Sequence, residues 1–130
     1  EAAGKSMLYV RKKPKGFGRN AQIEGAPHEG DRVLLVEDLA TDGASKIGFL
    51  EALGKAGMTV TDIFVVFFYG AFSGALKDLA DLGVSMHYLA TWRDVIRVAE
   101  DGAYFPAPAI DAVRAFLDNP TGWSKDHGGK

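Results

Sequence analysis

Between Val33 and Ser45 the chain reads VLLVEDLATDGAS. Four apolar residues in succession, two of them β-branched, predict a strand over Val33–Val36 that is buried on both faces. Two carboxylates, Glu37 and Asp38, then stand where that strand is expected to end. A short segment rich in small and hydroxyl residues follows and leads into an amphipathic stretch. Gly43 permits a backbone turn that points N–H groups inward, and Thr41 and Ser45 add hydroxyl donors. A helix start immediately beyond adds the positive end of its dipole. Adjacent carboxylates suit sugar hydroxyls or a hydrated Mg²⁺, and the loop suits a monophosphate. Asp42 and Ser45 also serve as ordinary helix caps, and that simpler role stands beside the binding role.

The rest of the chain alternates strands and helices. Short strands are expected over Met7–Val10 and Gln22–Glu24, separated by a basic, glycine-containing loop from Arg11 to Arg19. A helix over Lys46–Ala56 carries Ile47, Leu50 and Leu53 at three-residue spacing. Val60–Tyr69 reads as a second strand, Ala75–Leu82 as a helix and Val84–Leu89 as a third strand. Thr91 is placed to cap a helix over Trp92–Glu100, and Pro108–Leu117 reads as a last helix halted at Asn119-Pro120. This order predicts an α/β fold, Rossmann-like, with a mainly parallel sheet whose ligands bind beyond the carboxyl ends of the strands. One core unit over residues 1–123 and a polar tail over 124–130 are expected, with Trp123 docking on the core.

Composition narrows the chemistry. With 130 residues the chain has room for one core. It contains no cysteine, which excludes disulfides, thiolate metal sites and cysteine nucleophiles. A formal net charge of -2 gives no general nucleic-acid signature, and no apolar run approaches the roughly 18 residues of a membrane helix. The cytoplasm is the default compartment. His28, His87 and His127 lack ligand spacing, so no metal site is expected from them. Phe64, Phe67, Phe68 and Tyr69 read as core. Residues 1–6 resemble the end of a helix running into a strand, so the chain is expected to be part of a longer protein.

The basic segment Arg11-Lys12-Lys13-Pro14-Lys15, with Arg19 beyond, is a solvated charge run or a clamp for a polyphosphate. Gly16 and Gly18 would let such a clamp close and open as a lid.

These residues bear on two families. A response-regulator receiver also places acids at the end of an apolar strand. It further needs an Asp after a later strand and a Lys after another, and neither Val65–Gly70 nor Val84–Ala90 supplies one. The stretch Val33–Ser45 resembles instead the signature of the type I phosphoribosyltransferases. Its pairing with Tyr9-Val-Arg-Lys-Lys-Pro-Lys15-Gly-Phe-Gly18 is similar to the orotate branch of that family, whose basic loop lies at the same relative place. By motif the resemblance spans Leu8–Ala56. It implies that Glu37 and Asp38 hold the ribose hydroxyls of phosphoribosyl diphosphate. Thr41, Asp42, Gly43, Ala44 and Ser45 would cradle its 5′-phosphate, with Thr41 also near orotate. Arg11, Lys12 and Lys15 would meet the diphosphate, Lys15 and Asp38 being the residues implied in catalysis. A homodimer and Mg²⁺ carried on the diphosphate are implied as well. The sheet would be that of the family, incomplete at its N-terminal side, where the family has a hood over the base. Three positions depart from the pattern. Phe17 stands where the basic loop usually has His, Ala40 and Asp42 are unusual, and Phe68–Ala71 has no Arg to read the orotate ring. Another base, or a non-catalytic module that binds phosphoribosyl diphosphate, are the alternatives.

Overall fold

The computed structural model describes residues 4–11 and 22–129. Two short strands, β1 (Tyr9–Val10) and β2 (Ile23–Glu24), pair antiparallel, and Val10 packs against the main core. The main sheet is parallel, with β3 (Arg32–Ala40), β4 (Thr59–Phe68) and β5 (Ser85–Thr91) lying side by side in that order. Helix α1 (Ala44–Lys55) connects β3 to β4, and α2 (Ala75–Asp81) connects β4 to β5. Helices α3 (Trp92–Asp101), α4 (Ala107–Asp118) and α5 (Pro120–Asp126) follow. The expected alternation and the parallel sheet are therefore present.

Burial is one-sided. Ile63 and Val65 of β4 are wholly inaccessible, and with Leu35 they meet Phe49 of α1 and Ala75 and Leu79 of α2. On β3 and β4, by contrast, Leu34, Val36 and Val66 are half or more exposed, and Leu89 of β5 is 70% exposed. The run Val33–Val36 is thus covered on one face, not on both as expected. The topology explains it. Parallel crossovers are right-handed, and two that step in the same direction across a sheet place their helices on the same face. An apolar run reports that a strand can be buried, but the direction of the crossovers decides which face is.

The aromatic run is only partly core. Phe68 is buried, whereas Phe64, Phe67 and Tyr69 are half-buried. Phe67, Tyr69 and Trp92 meet edge to face at the end of the sheet, with ring centroids 5.4–6.1 Å apart. A second, smaller core joins Ile96 and Ala99 of α3 to Ile110 and Leu117 of α4.

Thr91 caps α3 as expected. Its hydroxyl accepts from the Asp94 backbone N–H, and the Asp94 carboxylate accepts from the Thr91 N–H in return. The hydrogen bonds from the Thr91 hydroxyl and backbone hold the Asp94 carboxyl below its ordinary range. Across β4 and β5, the hydrogen bonds of Asp62 to His87 (2.9 Å) and to Thr61 (2.8 Å) do the same to Asp62. The polar tail is ordered further than expected. Pro120 does not simply halt a helix; it is the first residue of α5, where a missing N–H costs nothing, and the Asn119 side chain accepts from the Gly122 N–H at 3.0 Å. Trp123 of that helix lies against Phe116 and stacks on His127.

The one-sided core gives a direct prediction. Leu79→Ala should cost about 2–5 kcal/mol, while Leu89→Ala should change stability by no more than about 0.5 kcal/mol. Urea denaturation midpoints measure both. Equal losses would contradict the one-sided burial.

Candidate functional site

The strand register brings the site together. Ala40 lies opposite Phe68, and Phe68 lies opposite Thr91, so all three strands end at one edge. The turn 41–43 leaves β3 there, next to the segment that follows β4, and the Tyr69 N–H donates to the Ala40 carbonyl at 2.9 Å. Gly43 has φ +80 and precedes α1. It is buried, and a Cβ on it would lie 3.5 Å from both the Cβ and the carbonyl oxygen of Ala75. The close approach of this turn to α2 and its left-handed backbone both favour glycine.

Thr41 is half-buried, and Ala44 and Ser45 are exposed at the start of α1. Asp42 folds back on its own turn, where its Oδ1 accepts from the Ala44 N–H at 3.1 Å and lies 3.5 Å from the Thr41 hydroxyl. That bond ties the turn to itself and is not the helix cap that the sequence left open for Asp42. Gly43, not Asp42 or Ser45, occupies the formal cap position of α1, and no side chain fills that position.

The two carboxylates are not beyond the strand. Glu37 is paired within it, opposite Val65, and β3 continues to Ala40. The expected strand end was placed too early because acids and small residues dilute the apolar run, while ladder hydrogen bonding needs only backbone. Successive strand residues point to opposite faces, so Glu37 turns toward α1 and Asp38 is exposed on the other side.

What meets Glu37 is Lys46, 2% exposed. Its ammonium forms an ion pair with Glu37 Oε2 and donates to the Leu39 carbonyl at 3.0 Å and the Ser45 hydroxyl at 3.3 Å. The sequence reading gave Lys46 no role. The signal was its spacing. Lys46, Phe49 and Leu53 share the buried face of α1; of the expected face Ile47, Leu50 and Leu53, Leu53 is buried and Leu50 packs at the core's margin, and the buried face is rotated toward Lys46 and Phe49. A buried ammonium without its partner would be strongly unfavourable, and breaking such a pair costs about 3–5 kcal/mol.

Arg11 is engaged elsewhere. Its guanidinium bonds to Glu24 of β2 through Nε (2.8 Å) and Nη2 (2.6 Å) and lies 5.6 Å from the centroid of the Tyr9 ring. Lys12, Lys15 and Phe17 fall outside the described residues. Beyond β4, a shallow cleft of about 520 Å³ opens between the segment 70–74 and the junction of α4 and α5. Arg93 is the cation that lines it, 3.7 Å from Asp118. Among the described residues, no group of three or more His, Asp or Glu side chains could hold a metal ion, and no helix is long and apolar enough to cross a membrane.

No protein-family model matches the chain. Curated proteins do. It is 51% identical over 119 residues to an orotate phosphoribosyltransferase of a Ruegeria species, covering 92% of this chain and 53% of that protein. To the orotate phosphoribosyltransferase of Agrobacterium fabrum it is 49% identical over 129 residues, covering 99% of this chain and 56% of the relative. The chain therefore spans about half the length of the curated relatives it matches. Among solved structures, a UMP synthase of Leishmania donovani superposes with a TM-score of 0.70 at 28% identity, over 85% of this chain and 23% of that one. The orotate phosphoribosyltransferase of Aeropyrum pernix superposes with a TM-score of 0.60 at 34% identity, over 76% of this chain and 52% of that one.

The parallel sheet, the loop at its carboxyl edge and these likenesses define a phosphoribosyltransferase fold. Within that class, the curated proteins it matches are named orotate phosphoribosyltransferase.

The left-handed turn can be tested without a ligand. Gly43→Ala should lower stability by about 1–2 kcal/mol, the cost of a left-handed Cβ-bearing residue. Thermal and urea denaturation check it, and an unchanged midpoint would mean that the turn does not need its positive φ.

Proposed function

We propose that this chain carries the phosphoribosyl-binding portion of an enzyme that transfers ribose 5-phosphate from phosphoribosyl diphosphate to N1 of orotate. The C–O bond to the diphosphate breaks, the C–N bond forms as N1 of orotate gives up its proton, and orotidine 5′-phosphate and diphosphate leave. The observation that carries this reading is identity of about half over nearly the whole chain to proteins named for that reaction. In this reading the 5′-phosphate sits on Thr41–Ser45 at the start of α1. Asp38 and the outer oxygen of Glu37 accept from the ribose hydroxyls. Arg11, Lys12 and Lys15 face the diphosphate, and Arg11 exchanges Glu24 for it. Negative charge grows on the departing diphosphate as the sugar becomes cation-like. Cations aimed there stabilise the transition state more than the ground state, which is the requirement for a rate gain.

Mg²⁺ enters in this reading on the diphosphate itself, since the described side chains do not make a protein-only cage for it. A cytoplasmic location and a homodimer, in which Lys15 serves the neighbouring site, belong to the same proposal. A second reading is a phosphoribosyltransferase for another base. It is favoured by one feature, the absence of any cation from Tyr69 to Gly74.

The test is orotate consumption followed by absorbance, with phosphoribosyl diphosphate and Mg²⁺. It is run on the chain alone and on the chain joined to the part of the Agrobacterium fabrum relative that it does not match. Orotate turnover is expected in the joined protein. Turnover with a purine but not with orotate would replace the first reading by the second. In the joined protein, Lys15→Ala should lower kcat about 10²-fold or more while substrate affinity changes far less. Equal activity of that variant would remove Lys15 from the reaction.

A further inference from the structure

Lys46 occupies the first turn of α1, on the helical face that carries Phe49 and Leu53 into the core. Among the described residues, its ammonium forms an ion pair with the Glu37 carboxylate and donates to the Leu39 carbonyl and the Ser45 hydroxyl. An ammonium has three hydrogens to donate. These partners lie on two elements: Glu37 and Leu39 near the end of β3, and Ser45 in the first turn of α1. Glu37 gives Oε2 to the ammonium, and that oxygen is buried. The side chain keeps 21% of its surface exposed, so the carboxylate is held from behind while part of it still faces outward. Ser45 accepts from Lys46, which leaves its own hydroxyl hydrogen free to point away from the ammonium, and the residue is exposed.

We propose that Lys46 is a positioning residue for the phosphoribosyl site. Its buried ammonium ties Glu37, the end of β3 and Ser45 into one unit. Glu37 then presents its outer oxygen to a sugar hydroxyl at a fixed distance from a Ser45 hydroxyl turned toward the phosphate. This rests on the phosphoribosyl reading of the site given above. The charge of Lys46 is needed as well as its length. A neutral side chain would leave Glu37 Oε2 buried without a countercharge, and the carboxylate would rotate out of the site to regain water. A carboxylate that wanders costs more for a ligand that reads sugar and phosphate together than for one that offers phosphate alone.

The experiment titrates ribose 5-phosphate and inorganic phosphate calorimetrically into the full chain and into its Lys46→Met, Glu37→Gln and Lys46→Met/Glu37→Gln variants. Backbone amide exchange of residues 39–46 is followed in parallel. Lys46→Met is expected to weaken ribose 5-phosphate about tenfold, and inorganic phosphate much less, because a charged hydrogen-bonding group is lost from the sugar alone. It is also expected to speed exchange in the 41–45 turn. In the Glu37→Gln background, Lys46→Met should not change the ratio of the two affinities further, since Lys46 acts on the sugar through Glu37. Two results would overturn the proposal. One is a lower melting temperature with an unchanged ratio in Lys46→Met, which is a purely structural role. The other is a further loss of the ratio in the double variant. Where Lys46→Met alone does not fold, the double variant decides, because it leaves no unpaired buried charge. An unaltered chain that shows no preference for ribose 5-phosphate would sink the phosphoribosyl reading instead. In that case exchange alone judges Lys46, and unchanged protection of 41–45 in the variants overturns its positioning role.

Discussion

The parallel pairing of β4 between β3 and β5 is the constraint on which the rest depends. Ile63 and Val65 are fully buried at its centre, and the register fixes where each neighbour stops. Because Ala40, Phe68 and Thr91 lie level, the turn after β3, the segment after β4 and the start of α3 all emerge at one edge. A shift of one residue in the β3–β4 pairing would turn every side chain of β3 to the other face. It would place Glu37 in the open and Asp38 against α1. The site is thus a consequence of sheet register before it is a set of residues.

The same pairing separates the two carboxylates that look equivalent in sequence. Glu37 faces a helix and is met there by a buried ammonium, whereas Asp38 faces outward. One acid is built into the frame and the other is free to meet a ligand. Asp42, a third carboxylate close by, is turned onto its own loop by the Ala44 N–H. Of three negative charges near a proposed phosphate site, one is neutralised by Lys46 and one is held by loop backbone.

Much of this was legible in the residues. The apolar runs ending near Val36 and Tyr69 located the strands, and Thr91 announced a capped helix. The order of acid pair, small loop and amphipathic stretch marked the candidate site, and the likeness to the phosphoribosyltransferase signature agrees with the names of the relatives. What stayed hidden depended on the third dimension. Lys46 was given no role, because only the helix rotation that buries Phe49 takes it inward. Arg11 and Glu24 lie 13 residues apart and meet only because β1 and β2 pair. Pro120 reads as a stop, because a helix ends before it, yet Asn119 makes it the start of another. The open sheet face follows from crossover direction, which no run of apolar residues encodes.

The central claim is that a phosphoribosyl group is bound by the turn between β3 and α1. Amide chemical shifts recorded by NMR during titration with phosphoribosyl diphosphate test it most directly. The account predicts that the largest changes fall on Asp38 and residues 41–46. Unmoved signals there, with changes gathered instead around Arg93, Arg97 and Arg114 between α3 and α4, would contradict it.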